Sequence, residues 1–187
     1  MFYIKLSMTV EPGRSREMCI LTKDEILSEI RAGKVVIDPF SEELVGPGSV
    51  DLHLGNDFRI FRKLHQIYHV NDSSDFNEVT ELITVVDQFV LMPGESVLGI
   101  TKEKITLPPY LSGWLEGRSR FARLGLMVHV TASFMHPGIS NRQVLELSNV
   151  SPMPLALHPG TRICQFIFEK TIGEAVYTGI FSRQDRP

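Results

Sequence analysis

Four arginines lie in a stretch of the chain that holds no acid. Residues 117–145 contain Arg118, Arg120, Arg123 and Arg142 and neither Asp nor Glu, in a protein whose formal net charge is −3. Three of them are packed into Gly117-Arg118-Ser119-Arg120-Phe121-Ala122-Arg123. Guanidinium forks and a serine hydroxyl are donors matched to phosphate oxygens, and a short helix opening here would add main-chain N–H groups. A solvated basic turn has the same composition, so composition alone leaves both readings standing.

The acid-free stretch ends at Glu146, inside Gln143-Val144-Leu145-Glu146-Leu147-Ser148-Asn149. Strand alternation puts its carboxylate on the face opposite Leu145 and Leu147. It is then either a solvent-facing strand glutamate or a group held in a pocket and tuned for proton transfer. His129 and His136 raise the question of zinc. Zinc deaminases pair an H-x-E element with P-C-x-x-C, and the sequence has neither. It also lacks H-E-x-x-H, a P-loop and G-x-S-x-G. His129 lies in the apolar run Leu126-Met127-Val128-His129-Val130 and reads as a satisfied core or interface histidine.

The elements around these residues are mostly strands. One helix is predicted over 22–32, from the capping box Thr22-Lys23-Asp24-Glu25 to Gly33, with Ile26, Leu27 and Ile30 as its apolar stripe. Short strands are expected over 35–37, 50–55, 58–61, 83–86, 89–91, 96–101, 111–116, 126–131, 143–149, 154–157 and 163–170. Turn dipeptides separate many of them, such as Pro93-Gly94, Pro137-Gly138 and Pro159-Gly160. Residues 62–81 read as a polar surface loop. The pattern predicts a mainly β sandwich or barrel with one N-terminal helix.

With 187 residues, the chain has the length of one domain and can bury a real core. Residues 1–17 read as an N-terminal extension, 18–175 as the domain, and 176–187 as a C-terminal arm. The net charge of −3 argues against nucleic acid or an anionic membrane as partner, so any phosphate site is local. No apolar run approaches the roughly 20 residues of a membrane span, and a secretory leader is not expected. Cys19 and Cys164 are the two cysteines. They are too few for a disulfide framework and fit a reducing, cytoplasmic setting.

The longest of these motifs resembles a known family. Gly117 through Ala132, then Pro137-Gly138, Val144-Leu145-Glu146-Leu147-Ser148-Asn149, Pro154-Leu155-Ala156-Leu157 and Gly160-Thr161-Arg162-Ile163-Cys164-Gln165, together resemble the dCTP deaminases. Gly48-Ser49-Val50-Asp51-Leu52-His53-Leu54-Gly55 is similar to that family's N-terminal strand motif. The resemblance implies a distorted dUTPase-like β-barrel and a homotrimer with active sites between subunits. It implies dCTP as substrate, with Mg2+ carried on the triphosphate and no zinc, and dTTP as a feedback inhibitor. Glu146 matches the catalytic glutamate, and Ser119 and Arg123 match the residues that position water and base. Substrate contacts are implied for Arg118, Arg120, Thr131, Ala132, His136, Gln165, Tyr177 and Gln184.

The version Val130-Thr131-Ala132 resembles deaminases that stop at dUTP, so dUTP and ammonia are the expected products. The alternatives are a bifunctional enzyme that continues to dUMP and a non-catalytic nucleotide-binding trimer. The departures from the family pattern fall at ligand-facing positions. His136 stands for an Asp, Ile139 for an aromatic residue, Asn141 for a Gly, Arg120 for a Ser, and Ile180 and Phe181 for Lys and Tyr.

Overall fold

The structure, a computed structural model, describes residues 19–187. The expected extension over 1–17 lies outside the described residues. The helix forms as α1, Lys23–Arg31, with Thr22 at its N-cap and Ile26 and Leu27 buried. The Thr22 side chain makes no capping hydrogen bond, so Asp24 and Glu25 in the first turn favour the helix only through its dipole. Gly33 stops the helix with φ +67°, a conformation that costs glycine little.

Twelve strands follow. They are β1 Val36–Asp38, β2 Val50–His53, β3 Asp57–Phe61, β4 Thr80–Thr84, β5 Phe89–Leu91 and β6 Ser96–Thr106, then β7 Leu111–Gly117, β8 Leu126–Met127, β9 Phe134–Met135, β10 Ser140–Asn149, β11 Leu155–Leu157 and β12 Arg162–Lys170. The residues expected to be loop over 62–81 include a single helical turn, α2 Phe76–Val79, and the start of β4. Asp75 nucleates that turn by accepting from the Asn77 amide at 2.9 Å. A second short helix, α3 Ser119–Ala122, follows Arg118.

The fold is mainly β. One sheet runs β4-β3-β6-β10-β8 with β1 also on β6, a second runs β2-β12-β7-β9, and β5 pairs with β11. The pairings are antiparallel. The sheets wrap a common core without closing into a barrel. Leu145, Leu147, Val97 and Phe58 enter that core from one side, and Leu52, Leu115, Phe166 and Phe168 from the other. Cys164 is fully buried among them, as expected of a small apolar side chain.

Strand β10 fixes the site. Its odd-numbered residues are buried and its even-numbered residues, including Glu146, are half-exposed. Alternation therefore places the leucines in the core and the glutamate on the opposite face.

Candidate active site

Glu146 is held by a segment that leaves the sheet. Strand β8 pairs with β10 only through Ser148–Met127 and Asn149–Leu126. Beyond Met127 the chain peels off, so the strand expected over 126–131 is two residues long. The amides that would have continued the ladder turn to the Glu146 carboxylate. Its Oε2 accepts from Val130 N at 2.9 Å and Thr131 N at 2.5 Å, with Ala132 N at 3.4 Å. Its Oε1 accepts only the Thr131 hydroxyl, at 2.9 Å. The side chain has replaced a main-chain partner, which meets the requirement that amides be satisfied.

This arrangement sets the charge. Partial burial pushes the Glu146 carboxyl up, but the Thr131 amide and hydroxyl, the Val130 amide and the nearby His129 outweigh it. The group lies below its ordinary value of 4.5 and is a carboxylate at neutral pH. His129 Nδ1 lies 3.8 Å from Glu146 Oε2. Both ring nitrogens of His129 are buried and have no hydrogen-bond partner among the described residues. Burial holds the imidazole below 6.5, and Glu146 offsets this only in part. The satisfied histidine expected from the sequence is thus an unsatisfied, neutral one beside the carboxylate.

A cavity of about 420 Å3 opens over Glu146, within the usual range for a small-molecule site. Ala132, His136, Tyr177 and Gln184 line it, and so do His129 and Phe134. Rings form one of its walls. His136 stacks on Tyr177 with centroids 4.8 Å apart, meets Phe134 edge-on at 4.9 Å, and Phe134 contacts Trp114 at 5.0 Å. The C-terminal arm closes another side. Ser140 N donates to Ser182 O, Arg142 N to Gln184 O, and the Asn141 amide group to Phe181 O at 2.7 Å. Arg59 Nε anchors the end at Pro187 O, 2.8 Å away.

The remaining candidates lie elsewhere in the chain. Arg118, Ser119, Arg120, Arg123 and Gln165 do not line the cavity. Arg118 pairs with Asp51 at 3.1 Å. Gln165 accepts from the Ser49 hydroxyl at 2.8 Å. Ser119, Arg120 and Arg123 are exposed on or beside α3. One half of the candidate set therefore offers a carboxylate and an aromatic slot, and the other offers cations. No Lys or Arg is among the described residues lining the cavity.

Sequence reasoning gave Phe134 no role, took His129 for a satisfied core or interface histidine, and noted Asn141 only as a departure from the family pattern. Asn141 had a signal, because a side chain stood where a glycine was expected. That side chain now ties β10 to the arm. Nothing local marked His129, whose neighbour Glu146 is distant in sequence.

The family model described as dCTP deaminase-like matches residues 20–171. A Parafrankia sp. protein named "dCTP deaminase, dUMP-forming" is 42% identical over 177 residues, covering 90% of this chain and 88% of the relative. A Methanobrevibacter smithii protein of the same name is 40% identical over 156 residues, covering 81% and 80%. The crystal structure of 2'-deoxycytidine 5'-triphosphate deaminase from Agrobacterium tumefaciens superimposes with a TM-score of 0.66 at 21% identity, covering 83% of this chain and 49% of that one. That last likeness concerns the fold alone. With a family match over most of its length and relatives at this identity, the chain belongs to the dCTP deaminase-like family.

Proposed function

We propose that the protein deaminates dCTP and carries the product on to dUMP. The observation that carries this reading is Glu146 at the cavity wall, ionised, with Oε2 committed to main-chain amides and Oε1 held by a single hydroxyl. Oε1 is the oxygen with a lone pair left for water. Water adds to C4 of the cytosine, giving its proton to Glu146. Glu146 passes that proton to N3, then takes the remaining hydroxyl proton and delivers it to the 4-amino group, which leaves as ammonia as the C4 carbonyl forms. A tuned, pre-placed carboxylate is what a modest electrophile requires. A second water attacks the α-phosphorus, releasing pyrophosphate and leaving dUMP.

The end point differs from the expected dUTP. Both relatives described above are named dUMP-forming, and that supports dUMP over the reading drawn from Val130-Thr131-Ala132.

The substrate in this reading is dCTP with Mg2+ on its triphosphate, bound in a reducing cytoplasm. The cytosine and sugar enter the cavity beside His136 and Tyr177. The phosphates need cations that the cavity wall lacks. Arg118 and Arg120 supply them from a second copy of the chain, which also brings Ser119 and Arg123 to position water and base, and this makes a homotrimer with shared sites the working assembly. In this reading dTTP competes for the same pocket.

The test is an incubation of the purified protein with dCTP and Mg2+, reading ammonia, dUTP, dUMP and pyrophosphate together. Equal ammonia, dUMP and pyrophosphate is the expected result. Ammonia with dUTP and no pyrophosphate would end the two-step reading. Silence from protein that binds dCTP would leave a nucleotide-binding scaffold.

A further inference from the structure

Outside the cavity, one side-chain cluster carries more charge than its structural job needs. Asp51 lies on the half-exposed face of β2, whose other face buries Val50 and Leu52. It stands in register with Gln165 of β12, which in turn stands beside Glu116 of β7. Two guanidiniums converge on one oxygen of Asp51: Arg118 at 3.1 Å and Arg162 at 4.0 Å, both to Oδ2. Arg118 is pinned a second time, donating from Nη1 to the Arg162 carbonyl at 3.0 Å. Gln165 closes the row by donating to the Gly117 carbonyl at 3.4 Å. Arg162 itself is half-exposed.

A simple ion pair needs one arginine for one carboxylate, and at a partly exposed site it adds little stability. Here two arginines share the Asp51 carboxylate, and Glu116 in the same cross-strand row makes no ion pair with either. Arg118 has a terminal nitrogen on each of two fixed acceptors, so its fork is oriented while other N–H donors remain for a ligand. Such an arrangement suits a ligand with several anionic oxygens, which can bridge the two forks.

We propose that Arg162 is a phosphate-binding residue alongside Arg118, and that Asp51 is the positioning residue holding both guanidiniums toward the triphosphate. This rests on the proposed nucleotide substrate, and it gives a role to two residues that stand in the quoted motifs without one and do not line the cavity. The phosphates approach the outer side of the pair and Asp51 stays behind it.

The test uses inorganic tripolyphosphate as a probe that needs no chemistry. Binding is measured by calorimetry for the wild type, Arg162→Ala, Arg162→Lys and Asp51→Asn, with deoxycytidine as a phosphate-free control. Arg162→Ala is expected to weaken tripolyphosphate about tenfold and raise the KM for dCTP by a similar factor, the scale of one charge-assisted contact. Its kcat and deoxycytidine affinity stay at wild-type levels. Arg162→Lys recovers most of the binding. Asp51→Asn, with Arg118 unpinned, also raises KM. Wild-type tripolyphosphate affinity in Arg162→Ala, or equal losses in the alanine and lysine variants, would overturn the assignment. If the wild type makes no ammonia yet Arg162→Ala loses tripolyphosphate, the reaction falls and the clamp stands.

Discussion

Nδ1 of His129 lies 3.8 Å from Oε2 of Glu146, with neither imidazole nitrogen hydrogen-bonded among the described residues. A neutral ring is therefore sealed against an ionised carboxylate. Protonating it would bury a cation that is paired but poorly hydrogen-bonded.

That pair predicts an acid-labile fold. His129 has its folded value pushed below 6.5 by burial, so the unfolded chain takes up a proton first. Its contribution to stability is complete above 6.5 and is lost as pH falls from there toward its folded value. Glu146, held below 4.5, loses its contribution in a second, lower window. Melting temperatures of the wild type and His129→Leu between pH 5 and 8 check the first window. The wild type should lose more on acidification than the variant. Parallel curves would remove His129 from the explanation.

Thr131 supplies the one donor to Oε1. Thr131→Val removes that hydroxyl and keeps the main-chain amide on Oε2. The Glu146 value should rise, because a hydrogen bond to the charged form is gone. The acidic limb of the kcat/KM profile should move to higher pH. An unmoved limb would mean that the limb reports another group.

Asn141 explains one departure from the family pattern. Its side chain donates to Phe181 O and accepts from Gln143 Nε2 at 2.8 Å. Asn141→Gly should loosen the arm and leave Gln143 underpaired, at a cost of about 1–3 kcal/mol. Faster amide exchange over 181–187 and a raised KM with little change in kcat are the expected readouts. Unchanged exchange would show that the arm is held from its Arg59 end.

The parts of this site that the sequence showed are those with local causes. The alternation of β10 placed Glu146 correctly because Leu145 and Leu147 sit on either side of it. Helix α1 followed from its stripe and Gly33. The parts it hid depend on distant partners. Residues 126–131 looked like one strand, yet the amides of 130–132 bond a carboxylate 14 to 16 residues away. Strand β9 spans two residues, too few for any periodicity. His129 sits in an apolar run, and no neighbour in sequence says that its nitrogens lack partners. The separation of the arginines from Glu146 is a property of the fold that spacing cannot express.

Mixing inactive chains tests whether that separation is bridged between subunits. Glu146→Gln should lower kcat by about 10²–10⁴, and Arg118→Ala together with Arg123→Ala should be similarly poor. If each site takes its carboxylate from one copy and its arginines from the next, trimers assembled from equal amounts of the two variants regain activity. Random mixing leaves roughly a quarter of sites intact. Recovery toward that level is the predicted result. Mixed assemblies as inactive as either parent would instead place both halves of the site within a single chain.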